Sequence, residues 1–104
     1  MVKEIKKEKE FNEFIKKPLV IMDFWATWCM PCQIMGQVID NLSGKFKNIE
    51  FAKVNIDENS DLAEKFKITN IPTLLFFKKG KLVESKTGVM TEDEFEEKLK
   101  EFSG

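Results

Sequence analysis

The apolar run Leu19 to Trp25 is followed four residues later by Cys29-Met30-Pro31-Cys32, and an amphipathic stretch begins there. No other feature constrains the fold as strongly. A nearly continuous apolar run of this length reads as a central strand covered on both faces. After the cysteines, Ile34, Met35, Val38, Ile39 and Leu42 recur at helical spacing. They predict a helix over 31–43, with Gly44 at its C-terminal cap. A strand, a short turn carrying C-x-x-C and a helix therefore follow in direct succession. In a chain with a βαβ pattern this arrangement reads as a dithiol redox centre.

The remaining chain alternates in the same way. Residues 9–17 read as a helix from Phe11, Phe14 and Ile15, ended by Pro18. Residues 50–56 read as a second strand, and a short helix follows over 60–66. Residues 73–77 and 81–86 flank Lys78-Lys79-Gly80, a hairpin signature. The final helix starts at Thr91, where Thr91 and Glu94 have capping-box spacing and Phe95, Leu99 and Phe102 form the apolar stripe. Val2 to Ile5 is expected to add an edge strand. The predicted fold class is α/β: one mixed sheet, a βαβ unit joined to a β-hairpin, with helices on both faces. The 104 residues allow one domain, 1–104.

Composition excludes whole classes of chemistry. The chain has no histidine, so a Ser-His-Asp triad and any His-ligated metal or haem are ruled out. Two cysteines cannot close a four-cysteine zinc site within one chain. No metal and no bound cofactor is expected beyond a redox-active Cys29–Cys32 disulfide. The net charge of -1 argues against nucleic acid as a partner. Every basic side chain is lysine, so no guanidinium fork is present to grip phosphate. The apolar runs are too short to span a bilayer. The charged first ten residues do not resemble a signal peptide, and a cytoplasmic location is expected. In that compartment a close cysteine pair is more often catalytic or metal-binding than a structural staple.

Residues i and i+3 at a helix start lie on one face, within roughly 5–6 Å between Cβ atoms. A disulfide needs little more approach than that. Pro31 suits the first turn, where its missing N–H has no helical partner to lose. Cys29 falls at the helix N-terminus, where free N–H groups and the helix dipole favour an anion and so the thiolate. Cys32, one turn in, is expected to be more buried and to act as the resolving thiol. The cycle would be attack by Cys29 on a substrate disulfide, a mixed disulfide, then displacement by Cys32. Asp23 interrupts the apolar run on the same face as Ile21 and Trp25. A carboxylate there either serves chemistry or is a strand residue bonded to backbone or near an edge.

The stretch Asp23-Phe24-Trp25-Ala26-Thr27-Trp28-Cys29-Met30-Pro31-Cys32 resembles the active-site segment of the thioredoxin family. Ile71-Pro72-Thr73-Leu74 is similar to that family's cis-proline segment, and Lys78-Lys79-Gly80 to its hairpin. Residues 52–57 and Thr87-Gly88-Val89 match in order and spacing, so the resemblance covers nearly the whole chain. It implies a protein-disulfide reductase acting on disulfide-containing protein substrates, recharged by a thioredoxin reductase, and a monomer. It also implies that Asp23 helps deprotonate Cys32, that Lys53 pairs with Asp23 and tunes it, and that Pro72 is cis. Trp28, Met30, Ile71, Pro72, Gly88 and Val89, with Met90, would then form the substrate rim around Cys29. The alternative on the same fold is an oxidising or non-catalytic binding module. A glutaredoxin is disfavoured because the chain has no tyrosine.

The chain departs from the family pattern at four places. Met30 stands where glycine is usual, Gln33 where lysine is common, Gln37 where many members have a helix-kinking proline, and Asn70 where glycine is frequent. Methionine puts a flexible apolar group between the cysteines.

Overall fold

The computed structural model describes residues 2–104. In chain order the elements are β1 (Val2–Ile5), α1 (Glu8–Phe14), β2 (Val20–Trp25), α2 (Met30–Ser43), β3 (Glu50–Asn55), α3 (Ser60–Lys65), β4 (Thr73–Lys78), β5 (Lys81–Thr87) and α4 (Glu92–Ser103). They build one mixed sheet in the order β1-β3-β2-β4-β5. The strands β1, β3 and β2 run parallel, and β4 and β5 pair antiparallel. The expected edge strand at Val2 is present, and the α/β class is as predicted.

Strand alternation divides the core between the two faces of the sheet. On one face Ile21, Phe51, Leu74 and Phe76 pack with Met35, Ile39 and Leu42 of α2 and Phe95, Leu99 and Phe102 of α4. On the other, Val20, Met22, Phe24, Leu75 and Phe77 pack with Phe11 and Phe14 of α1 and Leu62 of α3. Rings at Phe11, Phe24, Phe66 and Phe77 meet at centroid distances of 5.2 to 6.2 Å, the offset and edge-on range that aromatic pairs favour.

Several local signals act as read. The Thr91 side chain accepts from the Glu94 backbone N–H, and the Glu94 carboxylate accepts from the Thr91 N–H, closing the capping box. Lys79 and Gly80 both take positive φ, 50° and 89°, and join Lys78 to Lys81 in a two-residue hairpin turn. Two such residues in succession match the right-handed strand twist, which is why glycine ends the turn.

Other details differ. Helix α1 closes at Phe14, and Ile15 forms its C-cap. Gly44 caps α2 with φ of −73°, so the cap does not use the left-handed region. Ile34 belongs to the apolar stripe by spacing, yet it is 52% exposed because α2 meets the sheet through Met35, Ile39 and Leu42. In the loop before β4, Lys67 takes the left-handed region with φ of 54°. Strand β5 is an edge strand with every residue exposed.

Candidate active site

The site forms where the C-terminal end of β2 runs into α2. The Cys29 backbone N–H donates to the Ala26 carbonyl at 3.2 Å, folding the chain back immediately after the strand. Cys29 is then the N-cap of α2, and Pro31 occupies the first turn. The Cys32 backbone N–H donates to Cys29 Sγ at 3.2 Å, the geometry of a side-chain N-cap with sulfur in the place of oxygen. The two cysteines form a disulfide with Cα atoms 5.2 Å apart. Both are buried, Cys29 at 5% and Cys32 at 3% exposure, so in this oxidised form the expected contrast in burial is small. They pack with Ala26, Trp25, Ile56 and Ile71.

The Ile71–Pro72 peptide bond is cis. The Ile71 carbonyl oxygen lies 4.0 Å from Cys29 Sγ. The Gly88 backbone N–H donates to the Pro72 carbonyl at 2.8 Å, and Gly88 has φ of 97°, a conformation that glycine takes without strain. The loop after β5 is thereby fixed to the loop before β4, beside the disulfide. Around this point Trp28, Met30 and Val89 stand out from the surface at 68%, 65% and 44% exposure. Met90 does not join them. It is buried in the core, and its backbone N–H approaches Met35 Sδ at 3.4 Å. Val89 and Met90 are adjacent, but the turn into α4 sends one outward and the other inward.

Behind the disulfide, Asp23 is 4% exposed and its Oδ1 has no hydrogen-bond partner among the described residues. Burial pushes its carboxyl up to about 7; the Lys53 ammonium opposes that rise, and the Asp40 carboxylate adds to it. Asp23 and Lys53 are paired in register on β2 and β3. The Lys53 Nζ, however, lies 4.9 Å from the centre of the Trp25 ring, a cation–π contact. The expected Asp23–Lys53 pairing is thus an interaction through the field, with the ammonium resting on an aromatic face. Asp23, Trp25, Cys32, Gln37, Asp40 and Lys53 line a common cavity of about 250 Å³.

Sequence reasoning assigned no role to Asp57 or Asn55. The Trp28 indole N–H donates to Asp57 Oδ2 at 2.8 Å, and the Asp57 backbone N–H donates to Asn55 Oδ1 at 2.8 Å. Asn55 is buried at the end of β3. This chain of contacts anchors an otherwise exposed indole. The only sequence signal for it was the polar pair ending an apolar strand. Gln33 fills part of the lysine-to-glutamine departure structurally, its side-chain amide donating to the Thr27 carbonyl at 3.2 Å. Among the described residues, no helix is long and apolar enough to cross a membrane.

Known proteins place this geometry in one group. The family model described as Thioredoxin matches residues 2–101. A thioredoxin from Mycoplasma pneumoniae is 46% identical over 81 residues, covering 77% of this chain and 79% of that protein. One from Chlamydia pneumoniae is 42% identical over 89 residues, covering 86% of each. Among solved structures, the oxidised thioredoxin from Plasmodium falciparum superposes with a TM-score of 0.89 at 30% identity over 100% of both chains. The thioredoxin from Malassezia sympodialis gives 0.90 at 30% identity, covering 99% of this chain and 94% of that one. With the Cys29–Cys32 disulfide as its redox group, the chain belongs to the thioredoxin family and is a thiol-disulfide oxidoreductase that reduces disulfides in other proteins.

Proposed function

We propose a division of labour within this site in which Cys29 attacks and Cys32 resolves. One observation carries it: Cys29 Sγ accepts the Cys32 backbone N–H at the start of a 14-residue helix. That N–H and the helix dipole stabilise negative charge on Cys29 once the disulfide is reduced. The Cys29 thiolate attacks one sulfur of the substrate disulfide, the substrate S–S bond breaks, and a mixed disulfide forms. Cys32 then yields its proton to Asp23, and its thiolate displaces the substrate sulfur from Cys29. The second substrate thiol leaves, and the Cys29–Cys32 bond closes. Asp23 suits the proton step because it lines the same cavity as Cys32 and has a carboxyl raised to about 7. Lys53 moderates that value by its charge.

Trp28, Met30, Ile71, Pro72, Gly88 and Val89 make the docking rim in this reading. The exposed apolar groups meet the partner's side chains, and the Ile71 backbone beside Cys29 pairs with an extended segment. A thioredoxin reductase returns the disulfide to the dithiol, linking the protein to electron transport and redox homeostasis. The reading is completed by one domain spanning the chain, a monomer, a cytoplasmic location, and no metal or further cofactor.

The test is dithiol-driven reduction of a protein disulfide by wild type, Cys29→Ser and Cys32→Ser. Wild type should turn over and Cys29→Ser should be inactive, while Cys32→Ser should accumulate a mixed disulfide through Cys29. Full activity of Cys29→Ser, or a trapped partner on Cys32 instead, reverses the assignment.

A further inference from the structure

The structure exposes one methionine beside the redox centre whose sulfur the thiol chemistry does not use. Met22 and Met35 are 0% exposed and Met90 is 4%, whereas Met30 is 65% exposed. In the oxidised protein both cysteine sulfurs are committed to the disulfide and buried. Among the described residues, the Met30 thioether is therefore the accessible oxidisable sulfur. It occupies the first helical position of α2, directly between the cysteines, with the exposed Trp28 on the other side of Cys29.

We propose that Met30 is a site of oxidation to the sulfoxide by peroxide, and that this modification weakens docking of protein substrates without disabling the dithiol. A thioether sulfur lone pair attacks one oxygen of hydrogen peroxide. The S–O bond forms as the O–O bond breaks, and the departing hydroxide takes the proton of the sulfur-bound oxygen and leaves as water. Methionine sulfur is oxidised by two electrons and peroxide is reduced by two. The product is polar and strongly hydrogen-bonding where the thioether was apolar. In a surface that buries this side chain against a partner, that oxygen must be stripped of water with no partner prepared for it. The chemistry at Cys29 and Cys32 is untouched, because the modified atom is not among the exchanging sulfurs.

The inference rests on the docking rim proposed above, and two readouts separate the two ideas. The oxidised protein is treated with hydrogen peroxide, and tandem mass spectrometry places the added oxygen within the segment that holds Met22, Met30 and Met35. Met30 should convert first, with Met22, Met35 and Met90 lagging. Preferential oxidation of a buried methionine overturns the site itself, whatever the enzyme's activity. The treated protein is then assayed as a protein-disulfide reductase. KM for the protein substrate should rise roughly five- to tenfold while kcat changes less than about twofold. In Met30→Leu, KM before and after treatment should be the same, whatever its starting value. Unchanged KM after Met30 has been converted, or an equal rise in Met30→Leu, overturns the effect on docking. Activity lost through kcat alone does so as well.

Discussion

Asp23 and Lys53 face one another across paired strands, yet the Lys53 ammonium rests on the Trp25 ring, 4.9 Å from its centre, and not on the carboxylate. The carboxyl keeps a buried oxygen without a hydrogen-bond partner among the described residues. A direct ion pair would hold Asp23 ionised and leave it a poor proton acceptor at neutral pH. An ammonium displaced onto an aromatic face lowers the carboxyl's affinity for a proton only partly, so burial prevails and the group titrates at about 7.

That displacement gives Asp23 its own contribution to the pH dependence of stability. The folded protein holds a proton on Asp23 up to about 7, whereas the ordinary value is 3.8. Between these values the native state binds more protons than the unfolded chain, so stability falls as pH rises through this window. Below it the contribution is flat, and above it the loss is complete, amounting to ~4 kcal/mol at 1.36 kcal/mol per pH unit. Asp23→Asn should gain stability at pH 8 on that scale and little at pH 4. Denaturant titrations of both proteins across this range decide it; parallel curves would show that Asp23 does not titrate there.

The same substitution should slow the chemistry. With no acceptor for the Cys32 proton, the mixed disulfide should persist. Its resolution at pH 7 should slow by about 10²-fold, the low end of what a positioned base supplies. Stopped-flow measurement of substrate thiol release reads this step. Resolution at the wild-type rate in Asp23→Asn would remove Asp23 from the proton path.

Lys53→Met keeps an aliphatic stem on Trp25 and deletes the charge. Among the described residues, Asp23 then loses the cation that opposes its rise, while the Asp40 carboxylate remains. Its titration midpoint should move upward, seen as a shift of the carboxyl infrared or carbon NMR signal. The lost cation–π contact should cost about 0.5–1 kcal/mol in addition. A midpoint that stays or falls would contradict the electrostatic role.

Asp57→Ala frees the Trp28 indole N–H. The indole is exposed, so the cost to stability should be no more than about 1 kcal/mol. The larger effect should be on docking: KM for protein substrates should rise several-fold with kcat nearly unchanged. Indole fluorescence anisotropy should fall in step. Asp57→Asn, which keeps an acceptor oxygen, should restore most of both.

Away from the site, Thr91→Ala removes one half of a closed capping box. The loss should be about 1 kcal/mol, read as a lower denaturation midpoint with activity intact.

The fold was legible because its signals are local and mutually consistent. Periodicity placed the helices, Lys79-Gly80 the hairpin and Thr91 the last helix start, and each element lies within a few residues of its expected bounds. The paired cysteines were legible because spacing alone brings them together at a helix start. What escaped depends on how elements pack. Ile34 has the right spacing for the core, but the rotation of α2 on the sheet leaves it outside. Met90 was expected on the rim, and the entry into α4 turns it inward. The Trp28–Asp57 contact spans 29 residues, which no periodicity reveals. The position of the Lys53 ammonium was hidden for a further reason: strand register fixes a Cβ, while a flexible four-carbon stem decides where the charge ends up.

Strand β5 closes one side of the sheet, and among the described residues no further strand pairs with its outer edge. Such an edge is a template on which stray extended chains can add. A protein that works on disulfides in other proteins meets that hazard at every encounter. Here the edge carries Lys81, Glu84 and Lys86, and the register slips between Phe76 and Phe77 on its neighbour. Stacking a further strand would bury those charges and require it to follow an irregular ladder. The open flank of the sheet thus resists growth into larger sheets.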